Sequence, residues 1–262
     1  LNEFTKGQIM KALIDGIRVP KELLGSLNET DLNNSSDTDL RNNLEQDGYL
    51  FLRNAINYEN ILKARNDIFK KLNDVKELED PFIEGIASGK SIRDKMHKDR
   101  GLFWETLSNT KSLREVTNGF NLENVFTKIF GTSSIGFDFI FLRAVASGKF
   151  THMHCDAGFF TRKTQNVLTC WLVFTDISLD KGPLFIIEGS HKLEEIKNKY
   201  KNFDVDLHKD LKATIETHPV KFAKERNTRI LTAEFKPGDA LIFGMYTVHG
   251  TFENHAKDNK IR

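Results

Sequence analysis

Thr151-His152-Met153-His154-Cys155-Asp156 gathers more metal-ligating side chains than any other stretch of this chain. Side chains two apart on an extended strand share a face, so His154 and Asp156 are expected to project together, one imidazole beside one carboxylate. A third ligand must come from a distant strand. Its best source is His249, in Phe243-Gly244-Met245-Tyr246-Thr247-Val248-His249-Gly250. That segment follows the turn Lys236-Pro237-Gly238-Asp239 and the apolar strand Ala240-Leu241-Ile242-Phe243.

Two histidines and one carboxylate on one face of an octahedron leave three positions free, and Fe(II) uses them for a bidentate oxoacid and for dioxygen. A single His-x-Asp arises by chance in many proteins, so the rival patterns matter. His152-x-His154 is a pair of the kind that metal-dependent cupins use, but Ala157-Gly158-Phe159-Phe160-Thr161-Arg162 supplies no following Glu. His152 is read as lining the cavity or supporting the ligands. His97, His191, His208, His218 and His255 fall in loops or in a charged insertion, where solvated surface is the default. Ser190-His191 lacks the nucleophile elbow of a serine hydrolase.

Outward from the cluster the chain divides in character. Residues 1–45 read as helix, polar linker and helix, an N-terminal helical extension with its linker over Ser26–Asp39. Gln46-Asp47-Gly48 turns into the short strand Tyr49–Leu52. Ile61, Leu62, Ala64, Ile68 and Leu72 then form one apolar stripe of a helix over Tyr58–Val75. Further helices are expected around Leu102–Leu107 and Leu122–Phe130. From Ile135 onward short β-rich runs dominate: Phe137–Ala146, Val167–Thr175, Leu184–Ile187, Arg229–Phe235 and Ala240–Phe243. The expected architecture over 46–262 is mainly β with flanking helices, a jelly roll or cupin-like barrel. A charged, helix-prone insertion at about 191–228 is expected to act as a lid.

The composition excludes several classes. Thirty-eight basic residues against 37 acidic give a net charge of +1. That balance makes no field to gather nucleic acid or an anionic membrane, so a small-molecule partner is expected. No apolar run reaches the roughly 20 residues of a membrane span. The first residues have no signal-peptide pattern and no initiator Met, so a cytoplasmic protein whose gene product begins earlier is expected. Cys155 and Cys170 are expected to be reduced packing residues, with a single bridge as the alternative. Phe is abundant at 21 residues, most of them core, and Phe159 and Phe160 either wall a substrate mouth or pack inside. Arg143 faces outward or meets an acidic substrate, since burying it unpaired is costly. Arg162 is a further substrate candidate.

The motifs together resemble the phytanoyl-CoA dioxygenase family of Fe(II)/2-oxoglutarate-dependent oxygenases. The resemblance is carried by Glu45-Gln46-Asp47-Gly48-Tyr49-Leu50-Phe51-Leu52-Arg53, His154-Cys155-Asp156, Trp171 through Asp176, Gly182-Pro183-Leu184-Phe185-Ile186-Ile187-Glu188-Gly189-Ser190-His191, and Pro237-Gly238-Asp239 ahead of His249-Gly250. It spans roughly residues 40–262 and implies a double-stranded β-helix. It also implies Fe(II), 2-oxoglutarate and O2 as cofactors, and Arg262 as partner of the distal carboxylate of 2-oxoglutarate. A planar guanidinium suits that role, because it meets a carboxylate bidentately and keeps its charge. Thr251 is implied as a hydroxyl beside that carboxylate, Trp171 as a wall of the co-substrate pocket, and Cys155 as the variable middle residue of the metal motif. The family continues past the arginine at which this sequence ends, through the strand that this arginine begins. Asp156 favours hydroxylation over halogenation, because halogenating relatives lack the carboxylate. Two other readings stay open: a cupin-type enzyme without 2-oxoglutarate, and a metal-free barrel that binds a small molecule.

Overall fold

Alternation with period two sorts the strands into two facing sheets. The computed structural model describes residues 4–9, 11–97, 99–138, 140–160, 164, 166–208 and 212–262. The strands are β1 (Leu13–Ile14), β2 (Ile17–Arg18), β3 (Leu24–Ser26), β4 (Tyr49–Leu52), β5 (Leu168–Leu172), β6 (Leu184–Ile187), β7 (Ile230–Thr232), β8 (Ala240–Gly244) and β9 (His249–Thr251). One sheet runs β3-β7-β6-β9 and the other β4-β8-β5, while β1 and β2 pair as a small hairpin.

Tyr49 and Phe51 of β4 join Leu241 and Phe243 of β8, Leu184 and Ile186 of β6 and Leu231 of β7 in the core between the sheets. Their neighbours Leu50, Leu52, Ala240 and Ile242 face the other way, onto Leu40, Val125 and Ile129 of the flanking helices. Beyond the four-stranded sheet, Phe185, Ile187 and Ile230 pack against Val19, Ile196, Tyr200 and Phe222. Both faces of both sheets are thus covered, which is why β4, β6 and β8 read as continuous apolar runs rather than alternating ones.

Local chemistry fixes the flanks. Helix Asp37–Asp47 starts at a Ser36 capping box, in which Ser36 and Asp39 satisfy each other's backbone N–H, and it ends on left-handed Gly48. Helix Tyr58–Asp74 starts at Asn57 and buries Ile61, Ala64, Ile68, Phe69 and Leu72, as its stripe predicts. The turn into β8 needs its glycine. Gly238 has φ +93°, and a Cβ there would meet the Ile56 carbonyl oxygen at 2.7 Å. Asp239 ties this turn down by accepting from Arg53 Nη1 at 2.7 Å, Lys236 N at 2.9 Å and Asn54 N at 3.1 Å.

Three expectations are corrected. The chain is mixed helix and sheet rather than mainly β, since the strands are short and the expected strand Phe137–Ala146 forms none among its described residues. The first 45 residues are not helix, linker and helix alone: the second helix begins at Asp37 as expected, but between it and one helical turn (Lys6–Ile9) lie the hairpin and β3, which pairs parallel to β7. The insertion at 191–228 does carry helices, Glu194–Tyr200 and Pro219–Glu225, but its described residues line no part of the large cavity. Ile196, Tyr200, Phe203 and Phe222 anchor it in the core instead. No helix is long and apolar enough to cross a membrane among the described residues.

Candidate metal centre

The ligand stretch lies along the free edge of β9. His154 and His249 exchange both backbone hydrogen bonds at 2.9 Å, and Thr251 N donates to the Thr151 carbonyl at 3.0 Å. On its other side His154 bridges Thr214, and Ile215 N donates to the Met153 carbonyl at 2.8 Å. Residues 151–156 bend at Met153 and bridge only through His154, to Thr214 and to His249, so they are not the regular strand expected. The close approach of β9 requires Gly250, where a Cβ would sit 2.8 Å from the Phe185 ring and 3.0 Å from the Thr151 carbonyl oxygen.

His154, Asp156 and His249 converge. Asp156 Oδ1 lies 3.6 Å from His154 Nε2 and 3.8 Å from His249 Nε2, and one ligand atom from each residue falls within 4.8 Å of the others. It is the one such cluster of metal-ligating side chains among the described residues. The tautomers follow from the hydrogen bonds. His154 Nδ1 faces the His152 carbonyl at 2.8 Å, and His249 Nδ1 faces the Thr247 carbonyl at 3.0 Å. A carbonyl only accepts, so each Nδ1 carries the proton and each Nε2 lone pair points inward, as a metal ligand requires. Burial, and then the adjacent His249, push His154 down to about 4, which keeps its imidazole neutral at pH 7. The His249 ring also packs on Phe243, 4.5 Å between centroids.

All three ligands open onto a cavity of about 1070 Å3. Thr251 and Arg262 line the same cavity. Backbone bonds between Val145 and Arg262, at 2.9 and 3.3 Å, place the arginine, and its Nη2 donates to Thr251 Oγ1 at 3.0 Å. Its Nε is buried with no partner. Burial, and then the charge of Arg143, push this guanidinium down to about 10, so it remains a cation at neutral pH. A buried cation with an unspent donor calls for an anion. Two imidazoles, a carboxylate and a carboxylate-hungry arginine in one cavity fit Fe(II) together with a dicarboxylate oxoacid.

The remaining candidates separate. Arg143 is exposed at the cavity, and Phe159 and Phe160 line it. Phe160 stacks on Phe137 at 5.6 Å and meets Phe141 edge-on at 5.7 Å, so these rings build one wall. Trp171 lines the cavity while packing edge-on against Phe235 at 4.9 Å. Cys155, implied beside the cofactor, instead points away. It is fully buried with Met153, Ala157 and Met245 in the opposite core, because the residue between two that face the metal must face elsewhere. Burial raises its thiol to about 12, and both cysteines are free. His152 is exposed and lies outside the large cavity; its carbonyl orients His154, and its ring meets the Phe150 ring edge-on at 4.8 Å. Arg162 lies outside the described residues. The sequence reading missed Thr169, whose hydroxyl donates to Asp156 Oδ2 at 2.6 Å.

Residues 44–262 match the family described as phytanoyl-CoA dioxygenase (PhyH). No curated protein matches the sequence. Among solved structures the chain is similar to the epimerase SnoN in complex with Fe3+, alpha ketoglutarate (2-oxoglutarate) and nogalamycin RO. That match has 14% identity over 86% of this chain and 80% of SnoN, with a TM-score of 0.52. It is also similar to SnoK, a non-heme alpha ketoglutarate dependent carbocyclase from nogalamycin biosynthesis, at 13% identity over 90% of this chain and 84% of SnoK, with a TM-score of 0.51. Such identities speak for the fold alone. The family match and the His-Asp-His site together define an enzyme of the non-haem iron, 2-oxoglutarate-dependent class. Within it, this chain belongs to the phytanoyl-CoA dioxygenase (PhyH) family.

Proposed function

We propose that this enzyme hydroxylates a small-molecule substrate held in the large cavity, with release of succinate and carbon dioxide. The observation that carries this reading is the convergence of the His154–Asp156–His249 triad and the Arg262–Thr251 pair on one cavity. His154, Asp156 and His249 hold Fe(II), and Arg262 and Thr251 hold the distal carboxylate of 2-oxoglutarate. When bound, iron, 2-oxoglutarate and O2 supply the oxidation, the oxoacid losing carbon dioxide while an oxygen atom enters a substrate C–H bond.

The chain's own work is placement. The Nδ1–H bonds of the two histidines fix the direction of their lone pairs. Thr251 Oγ1 accepts from Thr151 N at 2.8 Å and from Arg262 Nη2 at 3.0 Å. Both its lone pairs are then spent, and its own O–H is left to donate to a carboxylate. Phe137, Phe141 and Phe160 give one side of the cavity an apolar aromatic wall, with Phe137 and Phe141 exposed at its rim. Trp171 bounds the co-substrate pocket, and Phe159, 6.4 Å from the His154 ring, is the aromatic side chain placed to meet substrate near the metal. Arg143, at the cavity but outside the triad, suits an anionic group on the substrate.

The two facing sheets support reading residues 46–262 as a double-stranded β-helix oxygenase domain. Two features weigh against a cupin-type metal site: His152 is outside the cavity, and an arginine waits for a carboxylate. Anaerobic titration of the Fe(II) protein with 2-oxoglutarate tests the proposal. Chelation gives a weak visible charge-transfer band, lost in Asp156→Ala. A metal-loaded protein without that band overturns the reading, and succinate release across a substrate panel then identifies what is oxidised.

A further inference from the structure

We infer that Thr169 decides how Asp156 binds its metal, holding one carboxylate oxygen so that only the other is a ligand. This rests on the reading of the triad as an iron centre that takes 2-oxoglutarate. Thr169 sits on the edge strand β5 opposite Phe243 of the central strand β8, so its place is fixed by a ladder rather than by a loop. Its hydroxyl donates to Oδ2 at 2.6 Å, while Oδ1 is the oxygen that faces His154 Nε2 and His249 Nε2. Among the described residues, Thr169 is the one hydrogen-bond donor to this carboxylate.

A carboxylate can bind a cation through one oxygen or both. Through both, Asp156 and the two imidazoles would fill four of six octahedral positions. An oxoacid chelate would take the last two and leave none for dioxygen. Through one oxygen, a sixth position stays open. A short bond from a neutral hydroxyl to an ionised carboxylate is charge-assisted, and turning Oδ2 to the metal would break it. Thr169 is therefore a positioning residue that keeps a coordination position vacant, acting through Asp156 without touching the metal. It also tells the two oxygens apart, which the triad alone does not.

Thr169→Val keeps a β-branched side chain of the same shape on β5 and removes only the donor; Thr169→Ser keeps the donor. The probes are Co(II) for affinity, and nitric oxide added without oxygen to the Fe(II)–2-oxoglutarate form as a stand-in for dioxygen. We expect Thr169→Val to bind Co(II) about 10- to 100-fold more weakly, the range for lost hydrogen bonds to metal ligands, and to give a diminished iron–nitrosyl electron paramagnetic resonance signal. Thr169→Ser should restore both. Should Thr169→Val not fold, Thr169→Ala carries the same comparison. Wild-type Co(II) affinity and a full nitrosyl signal in the donor-less variant overturn the inference. The proposed function fails separately, on a wild-type protein that takes metal but not 2-oxoglutarate.

Discussion

Arg262 and Thr251 form one unit: the guanidinium reaches the hydroxyl at 3.0 Å across eleven residues, inside the cavity that the triad faces. Each depends on the other for direction. The arginine leaves its buried Nε unspent, and the threonine, with both lone pairs occupied, has only a proton to offer.

Arg262→Gln should therefore weaken 2-oxoglutarate binding roughly 10- to 100-fold, since a hydrogen bond to a charged group is worth about 1.5–3 kcal/mol. Metal affinity should hardly change. Thr251→Val should cost less than Arg262→Gln, and Thr251→Ser should be near wild type. Isothermal titration of the anaerobic Co(II) protein measures all three. Equal affinities across the series would remove these residues from the co-substrate site.

Asp156→Ala and His249→Ala should each lose bound metal while keeping the fold, because both side chains are stabilised by what they bind more than by what they pack. Metal content by elemental analysis and far-ultraviolet circular dichroism separate the two effects. Full metal occupancy in either variant contradicts the triad.

Phe243 serves both the core and the site. Its ring fills the space between the sheets and supports the His249 imidazole. Phe243→Ala should lower stability by about 3–5 kcal/mol, as for other large aromatic truncations. It should also weaken metal binding by freeing the His249 ring. Denaturant midpoints and a Co(II) titration read the two losses, and a stable variant with intact Co(II) affinity would refute the coupling.

The metal-free protein should lose stability as pH falls. His154 has its folded pKa pushed down to about 4 from an ordinary value near 6.5. Between those values the unfolded chain takes up a proton that the folded one refuses, so ΔG of unfolding declines from about pH 6.5 towards pH 4 and is fully present above that window. Thermal melts of wild type and His154→Gln across this range should converge at low pH. Parallel curves would assign the acid sensitivity to other groups.

Much of the site could be read from residue type alone. The spacing of His154 and Asp156 and the isolated His249 pointed to the cluster that the fold brings together, whereas Arg262 and Thr251 came from the family resemblance. Thr169 was invisible because hydroxyls are common and its partner lies thirteen residues away on another element. The first 45 residues misled for a related reason: strands of two or three residues have no periodicity to detect. Leu24-Gly25-Ser26 even contains a residue that argues against a strand. Yet Gly25 is what β7 needs, as a Cβ there would come within 2.6 Å of the Leu231 side chain. Cys155 is the reduced packing residue that the cysteine count led one to expect, buried in the opposite core rather than beside the metal ligands that flank it. The aromatic wall was only half legible, since Phe137 and Phe141 reach Phe160 from a segment without a ladder.

Strand β9 carries His249 and Thr251 on the same side, two residues apart, and the pleat sets their spacing at roughly 6.6–6.8 Å. On the proposed reading that interval is a ruler for the co-substrate, running from the iron that grips the oxoacid end to the hydroxyl that receives the far carboxylate. A diacid one methylene shorter, such as oxaloacetate, would be clasped at one end only. Inserting a single residue between His249 and Thr251 would throw the gauge out altogether, turning the hydroxyl to the opposite face while the metal ligands stayed where they are.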